Sequence, residues 1–191
     1  MEIQLPKPIF DGKKSLEACI YERESVRMYK DESIELEKIS QILWATQGKK
    51  GKKRTVPSAG ATYPLEIYIT LKNKGFYHYN YNSHVLELIS EEDLSHGLTE
   101  ASWNQIFITE AFLNIIICAE YSITTQRYGE RGIRYVYMEV GHCAQNIHLQ
   151  AVALGLVSVP IGAFNDKDVK EVLGLPKKIE PLYIIPIGYP K

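Results

Sequence analysis

The chain has 191 residues, with 22 Lys and Arg against 23 Asp and Glu and a formal net charge of −1 at pH 7. That balance leaves no global field to attract nucleic acid, an anionic membrane or a strongly charged partner. With 45% hydrophobic and 24% charged residues, the composition is that of an ordinary globular protein, long enough to bury a sizeable core.

No internal repeat or low-complexity linker divides the sequence, so residues 1–191 read as a single domain. The three cysteines, Cys19, Cys118 and Cys143, are widely separated and form neither a disulfide framework nor a C-x-x-C pair. Cytosolic thiols are the simple reading. Met1 to Lys14 lacks the apolar core of a signal peptide. No stretch reaches the ~18 apolar residues of a membrane span; Ile106 to Ala119 is broken by Thr109, Glu110 and Asn114. A cytoplasmic protein is expected, with neither membrane nor nucleic acid as partner.

Taken in chain order, Ser15 to Arg23 reads as a helix leading into Arg23-Glu24-Ser25-Val26-Arg27. Ser33 is a candidate N-cap for a second helix, with Glu35 and Glu37 in its first turn and Gly48 as the stop. Ile39, Ile42, Leu43 and Thr46 share one face of it. A loop through Pro57-Ser58-Ala59-Gly60 follows. Leu65, Ile67, Ile69 and Leu71 then alternate with Glu66, Tyr68 and Thr70, the period of a half-buried strand. Phe76 to Asn80 and Val85 to Ile89 give two more strands in an antiparallel meander. Ile115 to Cys118 reads as a buried strand after a short helix. A long helix runs from about Arg131 to Leu154, with Val140, Ala144, Ile147, Ala151 and Leu154 at helical spacing and Gly155 as its end. Leu156 to Pro160 is a short strand, Lys167 to Leu173 a helix and Tyr183 to Ile187 a last buried strand. The pattern predicts an α+β fold with an antiparallel-rich sheet flanked by helices.

Several segments can carry chemistry. Arg23-x-Ser25-x-Arg27 sets two guanidiniums and a hydroxyl on one side of the chain if the segment is extended, a pattern suited to phosphate, which Arg grips with forked hydrogen bonds; read alone, the signal is weak and the first reading is a solvated charged turn. The small residues of Pro57-Ser58-Ala59-Gly60 let a flat ring approach the backbone, or serve a tight loop. Val159-Pro160-Ile161-Gly162-Ala163-Phe164, between a strand and a helix, offers N–H donors and apolar cover for a ring, or is an ordinary connection. Lys49-Lys50-Gly51-Lys52-Lys53-Arg54 is the strongly basic run. It lacks the aromatic interleaving of a nucleic-acid patch and reads as a solvated loop, or as a lure for an anionic donor or substrate. No metal site is expected: His142, Cys143 and His148 share one helix, but the histidines fall on opposed sides of it, and no H-E-x-x-H or paired-cysteine motif occurs. P-loop, G-x-G-x-x-G and G-x-S-x-G motifs are likewise missing.

In this order the segments resemble the nitroreductase family, most closely its SagB-type branch of thiazole/oxazole-forming (azoline) oxidases. The resemblance rests on R-E-S-V-R-M-Y at Arg23 to Tyr29, P-S-A-G-A-T-Y-P-L-E at Pro57 to Glu66 and G-H-C-A-Q-N-I-H-L-Q-A-V-A-L-G-L at Gly141 to Leu156. V-P-I-G-A-F at Val159 to Phe164 and L-G-L-P at Leu173 to Pro176 complete it. It covers the chain from about Ser15 to Pro190.

The resemblance implies FMN held between the subunits of a homodimer whose core is built by the long helix. Arg23 and Ser25 would hold the phosphate end, and Arg27 would reach the ribityl chain and the N1/O2 side of the ring. Pro57, Ser58, Ala59 and Gly60 would line the ring from the other subunit. Pro160, Ile161 and Gly162 would lie at the N5/O4 edge, with the Gly162 N–H as donor to N5. Many family members carry a further basic residue past the last strand that completes the phosphate site; here Lys191 would serve for the phosphate. Where azoline oxidases have a Lys-Tyr acid/base pair, this chain reads Arg127-Tyr128, and Arg is a poor general base. The function implied is therefore transfer of hydride from NADH or NADPH through the flavin to a quinone, nitroaromatic or unsaturated metabolite, with Tyr128 as a candidate proton donor. Dehydrogenation of a peptide heterocycle and a non-catalytic flavin-binding dimer are the alternatives.

Overall fold

The computed structural model describes all 191 residues. Its elements are β1 (Glu2–Gln4), α1 (Leu16–Glu22), α2 (Leu36–Gln47), β2 (Lys49–Lys50), β3 (Lys53–Arg54), β4 (Leu65–Leu71), β5 (Gly75–Asn80), β6 (Val85–Ser90), α3 (Ser95–Ala101) and α4 (Phe107–Glu110). They continue with β7 (Leu113–Ala119), α5 (Tyr121–Tyr128), α6 (Arg131–Ala153), β8 (Val157–Ser158), α7 (Asp166–Val172) and β9 (Glu180–Gly188). Seven strands form one sheet in the order β1-β6-β5-β4-β7-β9-β8, and β2 with β3 makes a separate hairpin. Neighbouring strands in the sheet are antiparallel throughout, so the α+β architecture is as expected.

The β4 strand departs from its alternating sequence. Tyr68 and Thr70 are buried as well as Leu65, Ile67, Ile69 and Leu71, because the sheet is covered on both faces. On one face Ile67 and Ile69 pack in a core with Ile42 and Leu43 of α2 and Val140 and Ile147 of α6. On the other, Tyr68 packs with Phe76, Leu98 of α3 and Val169 of α7. The β7 run of Ile115, Ile116 and Ile117 feeds both cores in alternation.

Two helix starts are capped by local side chains. The Ser15 hydroxyl accepts from the Ala18 N–H, and Asn165 accepts from Lys167 and Asp168, each capping its helix. Ser33 does not cap α2; Glu35 occupies that position without a side-chain bond, its carboxylate being taken by Tyr189, whose hydroxyl donates across 2.6 Å. The basic run is a hairpin rather than an open loop. Its four lysines are exposed, but Arg54 is half-buried and its guanidinium stacks 3.4 Å from the centre of the Tyr81 ring.

The 23-residue α6 is about 34 Å long and sets up everything that follows. Val136, Val140, Cys143, Ala144, Ile147 and Ala151 face the first core. The other side exposes Ile133, Tyr137 and Met138, and a Cβ placed on Gly141 would meet nothing within 4 Å. No helix is long and apolar enough to cross a membrane.

Candidate functional site

The Arg23–Arg27 segment is extended because it lies against β8. Ser25 bridges Ser158, and the Val26 N–H donates to the Ser158 carbonyl across 3.1 Å. Farther along, Tyr29 is buried, its hydroxyl donating to the Val26 carbonyl at 2.9 Å. A side chain on Gly188 would collide with the Tyr29 ring, its Cβ falling 2.9 Å away. The segment is thus clamped at both ends, with Arg23, Ser25 and Arg27 alternating along it.

These three residues do not converge on one point. Arg23 lines a depression of about 170 Å³ together with Gly141, Ala144, Gln145, His148, Pro160 and Tyr183. Arg27 rests over the Phe107 ring, 5.8 Å from its centre, and Ser25 is exposed. Lys191 is exposed beside the Tyr29–Pro190 bridge and is not part of the wall around Arg23.

The Pro160 loop meets the same depression from the sheet side. Ile161 exchanges two backbone hydrogen bonds with Ile184, at 2.8 and 3.0 Å, and its side chain is packed in the second core. Apolar cover at this wall therefore comes from Pro160, while Ile161 anchors the loop. Gly162 is exposed, and its N–H has no acceptor within the chain.

A second depression, of about 230 Å³, lies between Pro57, Ser58 and Ala59 and the residues Tyr135, Met138, Glu139 and His142 of α6. Its loop is held by side chains. The Tyr63 N–H donates to Ser58 Oγ at 2.9 Å, and Arg127 Nη1 donates to the Gly60 carbonyl at 3.1 Å. Gly60 has φ of +59°, and a Cβ there would stand 2.5 Å from the Tyr128 hydroxyl; both facts favour glycine. The N–H groups of Ser58, Ala59 and Gly60 have no acceptor within the chain. Tyr128 packs edge-on against Tyr135 with ring centres 5.1 Å apart, so Arg127 and Tyr128 both stand beside the Gly60 loop.

The structure adds two buried residues that the sequence reading passed over as functional. Glu139, 2% exposed, is pushed up to about pKa 7 by burial, against the lowering effect of Ser58, Gln47 and Arg54. Gln47 Nε2 donates to its Oε1 at 3.5 Å, and Arg54 Nη1 donates to Gln47 Oε1 at 3.0 Å. His148, 4% exposed, is pulled down to about pKa 4 by burial and by the Arg23 charge. Its Nδ1 lies 2.6 Å from Ser158 Oγ, and its Nε2 has no partner. The available signal was an ionisable residue inside the apolar stripe of a long helix: Glu139 sits beside Val140 and Val136, and His148 beside Ile147 and Ala144. No group of three or more His, Cys, Asp or Glu side chains stands close enough to hold a metal ion.

Each depression is smaller than the roughly 300–1,000 Å³ of a typical small-molecule pocket. They occupy adjacent turns of one helix; the Pro57 depression carries the unpaired N–H groups of Ser58 and Ala59, and the Arg23 depression carries the unpartnered His148 Nε2. This geometry, on an antiparallel sheet with a long central helix, defines an α+β protein with two shallow depressions along one helix. The family model described as the nitroreductase family matches residues 20–189, and the chain belongs to that family. A Methanocaldococcus jannaschii protein carrying the name nitroreductase is 44% identical over 98% of this chain and 96% of its own length. An Archaeoglobus fulgidus protein named as an NADH dehydrogenase/NAD(P)H nitroreductase is 26% identical over 92% of this chain and 87% of its own. The crystal structure of a Ralstonia eutropha protein, also named as a nitroreductase, superposes with a TM-score of 0.90 at 25% identity, covering 100% of this chain and 90% of that one. Membership makes the chain an oxidoreductase.

Proposed function

We propose that the protein is an FMN-dependent oxidoreductase, working in the cytoplasm as a homodimer, that takes hydride from NADH or NADPH. A small organic acceptor, such as a quinone, a nitroaromatic or an unsaturated metabolite, receives the electrons. The observation that carries this reading is the pair of incomplete depressions on adjacent turns of α6, one holding Arg23 and Pro160, the other Pro57, Ser58 and Ala59. A second copy laid against the exposed Ile133, Tyr137 and Met138 would join unlike halves into two equivalent sites, as two-fold symmetry requires.

The residues fit the cofactor. Arg23 offers a forked cation for the phosphate. The unpaired N–H groups of Gly162, Ser58, Ala59 and Gly60 offer donors for the polar edge of the ring, and Pro160 offers apolar cover. Arg27 is an exposed cation on the same extended segment and offers positive charge to the reduced ring. Bound flavin supplies the redox chemistry itself, accepting hydride and releasing electrons. The chain's part is binding, orientation and electrostatics, with the Tyr128 phenol as a proton source beside the Gly60 loop. The peptide-heterocycle reading needs a basic neighbour for Tyr128. Its neighbour is Arg127, permanently protonated and engaged with the Gly60 carbonyl.

The test is the visible absorption spectrum of the purified protein. A flavin spectrum that bleaches anaerobically with NADH or NADPH and returns on adding a quinone is expected. Protein that is colourless and takes up no added FMN would overturn the proposal.

A further inference from the structure

His148 is the one buried residue with an unsatisfied side-chain atom in the wall of the Arg23 depression. A buried polar atom without a partner costs free energy unless something arrives to satisfy it. The ring is fixed by its other nitrogen: Nδ1 is 2.6 Å from Ser158 Oγ. Ser158 is in turn tied to the phosphate-gripping segment, since its carbonyl accepts from the Val26 N–H and its backbone bridges Ser25. The imidazole and Arg23 are therefore held on one backbone frame.

Ser158 Oγ has no hydrogen-bond partner besides His148. If Nδ1–H donates to Oγ, the serine proton and the Nε2 lone pair are left over; if the serine hydroxyl donates to Nδ1, the Nε2–H and the Oγ lone pairs are left over. An acceptor at Nε2 selects the second arrangement, in which both hydrogens are paired and a neutral donor stands next to a cationic one. Burial and the Arg23 charge keep the ring neutral at physiological pH. Two neighbouring donors, one of them charged, suit an anionic acceptor with several oxygens.

We infer that His148 is a cofactor-binding residue whose Nε2–H donates to the phosphate of the flavin mononucleotide held by Arg23, with Ser158 as the residue that positions the ring. This rests on the proposed flavin function and adds to it a determinant for the phosphorylated form over riboflavin.

The experiment compares dissociation constants for FMN and riboflavin in the wild-type protein, His148→Leu and His148→Gln. Loss of a hydrogen bond to a charged group predicts an FMN constant raised at least tenfold in His148→Leu, with the riboflavin constant moved less than twofold. Gln, which returns a donor, should recover most of the FMN affinity. An equal loss for both flavins, or no loss, would overturn the inference while leaving the flavin function standing. Failure of the wild-type protein to bind FMN at all would instead defeat the functional proposal. Should His148→Leu not fold, the ring ¹⁵N signals of wild-type His148 decide. Added FMN should shift a protonated Nε2 and riboflavin should not; an unprotonated Nε2, or identical shifts, would count against the assignment.

Discussion

Arg127 donates from Nη1 to the carbonyl oxygen of Gly60 across 3.1 Å, bridging 67 positions of sequence to hold the one glycine of the Pro57–Gly60 loop. The bond gives the exposed Arg127 a job that needs a permanent cation with directed N–H groups, not a proton acceptor. Replacing Arg127 by Ala should weaken FMN binding severalfold by freeing the loop, while the pH dependence of donor oxidation keeps its shape. Steady-state rates across pH check this; loss of an ionisation from the profile would show Arg127 acting in proton transfer.

Gly60→Ala should be costly in a way that distant loop glycines are not. The new methyl would sit in a left-handed conformation and press on the Tyr128 hydroxyl and Arg127. A loss of about 1–3 kcal/mol in unfolding free energy is expected, together with loss of flavin retention. Gly51→Ala, also at positive φ but with open space around it, should cost only the conformational part. Urea unfolding of both variants separates strain from collision.

Burial shifts Glu139 and His148 in opposite directions. The carboxyl of Glu139 is raised from 4.5 to about 7, so its contribution to stability is complete below pH 4.5 and is lost as pH rises through 7. The imidazole of His148 is lowered from 6.5 to about 4, so its contribution is complete above pH 6.5 and is lost as pH falls through 4. Each is worth at most about 3 kcal/mol. Relative to wild type, Glu139→Gln should gain stability as pH climbs from 4.5 to 7, and His148→Gln should gain it as pH drops from 6.5 to 4. Denaturant midpoints measured across this range should move in opposite directions; parallel curves would contradict the burial-driven shifts.

Much of the fold is legible in the sequence, because its long elements carry clean periods. The apolar stripe of α6, the meander of β4, β5 and β6, and the continuous Ile115–Ile117 run each announce their place. What is hidden depends on partners remote in sequence. The alternation in β4 signals one wet face, yet α3 and α7 cover Tyr68 from about 25 to 100 positions away, and Asn114 of β7 bonds Thr70. The Lys49–Arg54 run looks like a loop until Tyr81 is seen to pin Arg54. Arg23 and Pro160 line one depression, but the Arg27 side chain is drawn off by Phe107, and Ile161 turns inward because Ile184 claims its backbone. Glu139 and His148 were hidden for a different reason: their roles arise from burial, which no single position in a sequence declares.

Gly141 offers a probe of assembly. A side chain there meets nothing within the chain, so Gly141→Arg should leave the monomer fold and its circular dichroism unchanged. In a dimer packed along α6 the same substitution puts a charge into the contact. Because Gly141 also lines the Arg23 depression, the readout is sedimentation, which should show a monomer. A dimer of unchanged stability would place the interface elsewhere.

Subunit complementation tests the divided site most directly. Arg23→Ala damages one depression and Ala59→Trp fills the other, so each variant alone should lose FMN. In mixed dimers formed by co-refolding, one site carries both lesions and the other carries neither. Random pairing then predicts recovery of about a quarter of wild-type flavin occupancy. If the mixture binds no more flavin than either variant alone, the two depressions do not combine across subunits and the account is wrong.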